Sequence, residues 1–153
     1  MSHAERLKEL HIKLPDAPSP LGSYVPCVRT GNLIFVSGML PLKDGKLLYA
    51  GRVGVEVSQE DAQKASRQAV INGLAVIRSF SGSLDNIVQC VKLNGYVASA
   101  EGFYDQPSVI NAASELLFEI FGDKGKHSRA AVGVYTLPMN SPVEIDFIFE
   151  LES

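Results

Sequence analysis

The chain has no tryptophan, only two cysteines and three histidines in 153 residues, and no surplus of basic side chains. Fourteen Lys and Arg against seventeen Asp and Glu leave a formal charge of −3. Too few cations remain to neutralise a run of phosphates, so neither a nucleic acid nor an anionic membrane surface is an expected partner. His3, His11 and His127 are scattered along the chain and predict no metal site. Cys27 and Cys90 sit in apolar surroundings without CxxC spacing, which fits buried free thiols better than a disulfide, a metal ligand or a nucleophile. No apolar run approaches the ~18 residues of a membrane span, and the opening MSHAERLKELHIKLP lacks the apolar core of a signal peptide, so a soluble, cytoplasmic protein is expected.

What is present is a composition of 46% hydrophobic and 20% charged residues, ordinary for one globular domain with one core. Ser2 is a candidate cap for a short amphipathic helix carrying Ala4, Leu7 and Leu10. Pro15, Pro18 and Pro20 end it and turn LPDAPSPLGSY into an extended connector. Strands are predicted near Tyr24 to Val28, over Leu33 to Ser37 and near Lys46 to Tyr49, punctuated by Gly31-Asn32 and Asp44-Gly45 turns. At Ser58 the period changes: SQED reads as a capping box, and Ala62, Ala65, Ala69, Gly73, Val76 and Phe80 recur at helical spacing up to Gly82. A strand over residues 87 to 99, with Gly95 as a possible bulge, leads to a second helix over residues 108 to 121. Two last strands, residues 130 to 137 and 143 to 151, are joined by a connection short enough for antiparallel neighbours. The order is βββαβαββ, an α+β domain with a mixed sheet and two helices on one face.

The last strand alternates: Val143, Ile145, Phe147, Phe149 and Leu151 form one face, Glu144, Asp146, Ile148 and Glu150 the other. One face covers helices. The other includes Ile148, and the preceding strand is small or apolar on both sides, so the second face of the sheet is expected to be covered by another copy of the chain.

Several stretches in order carry a family likeness. Arg129-Ala-Ala-Val-Gly-Val-Tyr-Thr-Leu-Pro138, followed by Val143-Glu144-Ile145, resembles the closing signature of the YjgF/YER057c/UK114 (RidA) family of imine deaminases. Ala17-Pro18 and Gly22-Ser23-Tyr24 resemble its opening, Gly31-Asn32-Leu33 and Val36-Ser37-Gly38 its next segment, and Val109-Ile110-Asn111 the start of its second helix. The resemblance covers residues 15 to 151 and sets residues 1 to 14 apart as a helical extension before a 15–153 domain. It implies a chorismate-mutase-like fold, a homotrimer with clefts between subunits, and hydrolysis of reactive 2-enamine or 2-imino acids to 2-keto acids and ammonia with no cofactor or metal.

The chemistry fits the residue types. A 2-imino acid presents a planar carboxylate beside an electrophilic carbon, and a guanidinium grips such a carboxylate through two parallel charge-assisted hydrogen bonds. The resemblance gives Arg129 that role and makes Glu144 the acid that positions water and relays its proton. It places Tyr24, Ser37, Gly38 and Asn111 around the same substrate. Taken alone, Arg129 reads more simply as a strand-end side chain capping a loop or paired with a surface acid, and Glu144 as a solvent-facing strand residue. Ala131 stands where many members have cysteine, Met39 where a glutamine is common, and Ser23 where a proline precedes the tyrosine. Those departures mark a divergent branch and leave two other functions in view: a non-catalytic binder of small carboxylates, and an endoribonuclease, for which paired histidines and a basic groove are missing.

Overall fold

The computed structural model describes all residues from Met1 to Ser153. Helix α1 (His3–Glu9) starts with Ser2 accepting from the Glu5 backbone while the Glu5 side chain accepts from Ser2 N, a reciprocal cap that makes so short a helix viable. Strands β1 (Cys27–Thr30) and β2 (Leu33–Met39) form a hairpin through the Gly31-Asn32 turn. A small ribbon, β3 (Leu42–Lys43) with β4 (Lys46–Leu47), precedes helix α2 (Gln59–Ser81). Ser58 caps α2 by accepting from Asp61 N, and Gly82 ends it at φ 84°. Strand β5 (Ile87–Ala98), helix α3 (Gln106–Phe121), strand β6 (Ser128–Val134) and strand β7 (Val143–Leu151) complete the chain.

The main sheet runs β1-β2-β7-β5-β6, mixed, with β6 parallel to β5 and all other neighbours antiparallel. Helices α2 and α3 lie on one face, so the α+β class and the mixed sheet are as expected from the sequence. Inside sit Ile34, Leu74, Ile77, Leu93, Leu116 and the five apolar residues of β7, each 2% exposed or less. Leu7 and Leu14 join this same core, and Leu10 and Ile12 pack on it. His3 meets Phe121 edge-on and Arg6 donates to Glu119 O, which fixes α1 on the end of α3.

Three sequence expectations change. The predicted third strand, Lys46 to Tyr49, does not enter the sheet: β2 is already paired on both edges by β1 and β7, so the Asp44-Gly45 turn closes only the β3–β4 ribbon. The last two strands are not neighbours either. β6 follows a helical crossover and lies parallel on the outer edge of β5, whereas β7 slots between β2 and β5, the central place that its wholly buried apolar face requires. Gly95 is not a bulge: the register slips lie at Ile87/Gln89 and Cys90/Lys92. Its lack of a side chain instead lets α3 approach, because a Cβ there would come within 2.6 Å of Ile110. The other end-shifts are small: β1 begins at Cys27, α3 starts two residues earlier with Pro107 in its first turn, and β6 runs 128–134.

The uncovered face of the sheet carries an apolar stripe. Val28 is paired with Phe35 and Phe35 with Ile148, and Val132 lies beside Tyr96; Val28, Phe35 and Val132 are 54%, 41% and 45% exposed. No helix of the chain is long and apolar enough to cross a membrane.

The close approach at Gly95 makes a stability prediction. Gly95→Val should destabilise the fold by roughly 1–3 kcal/mol or more through overpacking against Ile110, whereas the same change at Gly31, with nothing within 4 Å but a φ of +59°, adds only backbone strain. Urea unfolding of each variant against wild type would measure both costs; a Gly95→Val midpoint at the wild-type value would refute the packing argument.

Candidate functional site

Residues Ser37 and Gly38 lie where β2 leaves regular pairing, between the Val36–Phe147 and Met39–Ile145 pairs. That irregularity opens a hollow beside β7. A cavity of about 500 Å³ forms there, lined by Pro18, Ser19, Leu21, Tyr24, Ser37, Gly38, Met39, Leu40, Leu42, Pro138 and Glu144. Four of the six residues singled out from the sequence therefore meet: Tyr24, Ser37, Gly38 and Glu144. Tyr24 is half exposed, its hydroxyl accepting from Leu21 N at 3.3 Å, which folds the proline-rich connector over the cavity mouth. Ser37 donates to Val25 O at 2.7 Å and ties that connector to the sheet. Gly38 has a steric reason: a Cβ would collide with the Glu144 carboxylate.

Glu144 is half-buried. Withdrawal from water, followed by the nearby negative charge of Asp146, holds its carboxyl above the usual glutamate range. Asp146 is itself occupied, accepting from Asn94 Nδ2 at 2.8 Å and from the Tyr96 hydroxyl at 3.1 Å. A carboxylate with raised proton affinity at the wall of a cavity can take a proton from a water and return it to a leaving group.

Arg129 and Asn111 lie elsewhere. Arg129 is paired with Leu93, whose side chain is buried under the helices, so its own side chain turns to the helix side of the sheet. There its Nη1 donates to Asn111 Oδ1 at 2.8 Å and to Ser114 Oγ at 3.2 Å, both on α3. None of the chain's four ion pairs involves it. The bonds on Nη1 leave the edge formed by Nε and Nη2, the geometry that takes a carboxylate side-on, without a bond in the chain. The guanidinium is anchored by neutral acceptors on α3 and forms no ion pair with a surface acid.

Glu144, opposite Tyr96, faces the uncovered side. Arg129 and Glu144 are thus on opposite faces, two strands apart, about 10 Å across the sheet, and a further ~10 Å apart along it. One protomer does not bring them to one small substrate. The alternation of β7 already set Glu144 on the face away from the helices, but β6, small or apolar on both sides, held no clue to which way Arg129 points.

Ser114 and His127 were not anticipated as site residues. Ser114 could have been found as the residue one turn beyond Asn111, on the same helix face. His127 read as isolated because Ser114, which meets its Nε2, lies on α3 thirteen residues before it. The thiols are no part of either cluster: both are free and buried, and burial pushes Cys90 up to about 12. No group of three or more His, Cys, Asp or Glu side chains is placed to hold a metal ion.

A family model described as "YjgF/chorismate_mutase-like, putative endoribonuclease" matches residues 4–151. The protein TCP17 of Trypanosoma cruzi is 37% identical over 151 residues, covering 98% of this chain and 94% of that protein. A 2-iminobutanoate/2-iminopropanoate deaminase of Dermatophagoides farinae is 28% identical over 141 residues, covering 92% and 95%. Among solved structures, an Agrobacterium tumefaciens protein of unknown function aligns with a TM-score of 0.91 at 44% identity, covering 98% of this chain and 92% of that one.

The strained protonation of Glu144 is testable by itself. A carboxyl whose folded affinity for protons exceeds its unfolded one stabilises the fold at low pH, and that contribution is lost as pH rises through the folded value. Glu144→Gln should therefore raise the melting temperature at pH 7, by a few degrees at most, since ~1 kcal/mol moves a domain of this size by about 2–4 °C. The gain should shrink as pH falls through the raised folded value and vanish below the ordinary glutamate value of 4.5. A variant that melts lower than wild type at pH 7 would contradict the desolvation account.

Proposed function

Because the chain belongs to the YjgF/chorismate-mutase-like family, we propose that it hydrolyses reactive 2-imino acids to 2-keto acids and ammonia, in sites shared between copies of the chain. The observation that carries this reading is Arg129: a half-buried guanidinium, held on one edge by Asn111 and Ser114, with its bidentate edge open and no carboxylate in its own chain to fill it. Such a group is a receptor for an external planar carboxylate. The named activity of the Dermatophagoides relative supports the same substrate class.

In this reaction the substrate carboxylate lies on Arg129 of one protomer, and the imine carbon is presented to the cavity of the next. Glu144 takes a proton as water adds to that carbon and supplies it to the nitrogen, then carries the proton of the new hydroxyl to the same nitrogen, so that ammonia leaves as the carbonyl forms. The raised proton affinity of Glu144 suits both transfers. Tyr24 and Ser37 shape the cavity wall, Gly38 leaves room for the carboxylate, and Asn111 aims the guanidinium. Leu21, Met39, Leu40, Leu42 and Pro138 receive the substrate side chain. The Val28–Phe35–Ile148 stripe and Val132 supply an apolar surface on which copies can pack, and a closed ring of three fits the family pattern. The endoribonuclease in the family description fits less well: the cavity carries Glu144 beside Asp146, repulsive to phosphate, and the chain is net acidic.

The test generates 2-imino acids in situ with an amino acid oxidase and follows keto-acid and ammonia release. Wild type should accelerate release, Arg129→Ala should return it to background, and Arg129→Lys should lose about 10- to 100-fold, the worth of the lost charged fork. Glu144→Gln should cost about 10²- to 10⁴-fold. Equimolar co-refolding of Arg129→Ala with Glu144→Gln chains should restore about a quarter of wild-type activity, the share of sites that chance pairing makes whole. Absence of any wild-type acceleration would sink the deaminase reading, and failure of the mixture to recover would sink the shared site.

A further inference from the structure

His127 reaches Arg129 through one hydroxyl. Its Nδ1 lies 2.6 Å from Gly125 O, and a carbonyl can only accept, so Nδ1 carries the ring proton. In the neutral ring Nε2 is then a bare acceptor, 2.9 Å from Ser114 Oγ, and the serine must donate to it. With its proton committed to His127, Ser114 has only lone pairs to offer Arg129 Nη1, 3.2 Å away. The three contacts form one directed chain from Gly125 through His127 and Ser114 to the guanidinium.

A serine inside a helix ordinarily donates to the carbonyl one turn back. The chain shows that behaviour on α2, where Ser66 donates to Ala62 O and Ser81 to Ile77 O. Ser114 instead bonds His127 and Arg129. We propose that His127 is a positioning residue for the carboxylate clamp: by accepting the Ser114 proton it turns the hydroxyl lone pairs toward Arg129 and fixes the direction of the open guanidinium edge. The proposal rests on the reading of Arg129 as the carboxylate receptor.

The environment keeps the ring in the form this needs. Burial, the largest influence, and the positive charge of Arg129 both lower its proton affinity, against the opposing bond to Gly125 O. Phe118 lies against it, ring centroids 6.0 Å apart and planes inclined by 28°. A protonated His127 would donate from Nε2 and compete with Arg129 for the same hydroxyl lone pairs.

Two measurements on the full chain decide the matter. Long-range proton–nitrogen NMR at pH 7.5 should find His127 neutral with the proton on Nδ1; the opposite tautomer would overturn the proposal whatever any variant does. Calorimetric titration with 2-oxobutanoate, a stable keto-acid probe, should show Ser114→Ala and His127→Phe each weakening binding about three- to tenfold, the worth of one hydrogen bond. The double variant should lose no more than the larger single loss, because both act through one bond. Fully additive losses, or undiminished affinity in His127→Phe, would refute the relay. Arg129→Ala separates the two ideas: if it binds the probe like wild type, the receptor reading fails, and if it loses binding while His127→Phe does not, only the present inference fails.

Discussion

Alternate side chains of β7, from Val143 to Leu151, are packed against the helices, and a strand cannot bury one set without turning the other set outward. That constraint places Glu144 and Asp146 side by side on the uncovered face. The depth of the apolar set also makes β7 the middle strand, which sends β6 to the edge and leaves β2, paired by β1 and β7, no edge for the third predicted strand. A register slip of one residue would bury three carboxylates and expose two phenylalanines, so the position of Glu144 is as secure as the core itself. The cavity depends on the same strand, because β2 departs from it between Val36 and Met39 and leaves room over Glu144.

The sheet then acts as a partition. On one side a carboxylate is kept partly from water beside a second carboxylate; on the other a guanidinium is held by α3 without an acid. Each half is electrostatically incomplete, and each could be satisfied by the opposite end of one small zwitterion-like substrate. They lie too far apart for that within one protomer. The apolar stripe on the uncovered face is the kind of surface on which copies pack, and the shared site proposed above would tie activity to assembly.

Much of this was legible in the sequence, and the parts that were not share a cause. The alternation of β7, the Ser58 cap, the αL glycine at Gly82 and the Ser2 cap are local signals, read at a spacing of a few residues. Strand neighbours are not local: the short link from β6 to β7 suggested a hairpin, yet β5 intervenes because burial of β7 outweighs the convenience of a short turn. Glycine at position 95 was ambiguous for the same reason, since whether it bulges or admits Ile110 depends on a helix fifteen residues further on. For the site, residue types and order pointed to Arg129 and Glu144 and the alternation of β7 gave the face of Glu144, but the face of Arg129, and therefore their separation, required their partners on β5, Leu93 and Tyr96.

The choice of neutral partners for Arg129 bears on binding as well as on folding. An acid in the chain would satisfy the guanidinium more strongly, but it would have to be displaced by every incoming carboxylate, and the gain on binding would be reduced by the bond given up. Asn111 and Ser114 occupy Nη1 with uncharged oxygens, fixing the plane of the fork while leaving its positive charge unneutralised and its other edge free. The cost is a half-buried cation with incomplete hydrogen bonding in the empty state, tolerable because the group remains partly open to water. Glu144 shows the complementary economy: desolvation and Asp146 leave it ready to accept a proton rather than locked in an ion pair. Both groups are thereby held in the state that a ligand bearing a carboxylate and a hydrolysable nitrogen would complete, a preorganisation set by the helix face of α3 and the outer face of β7.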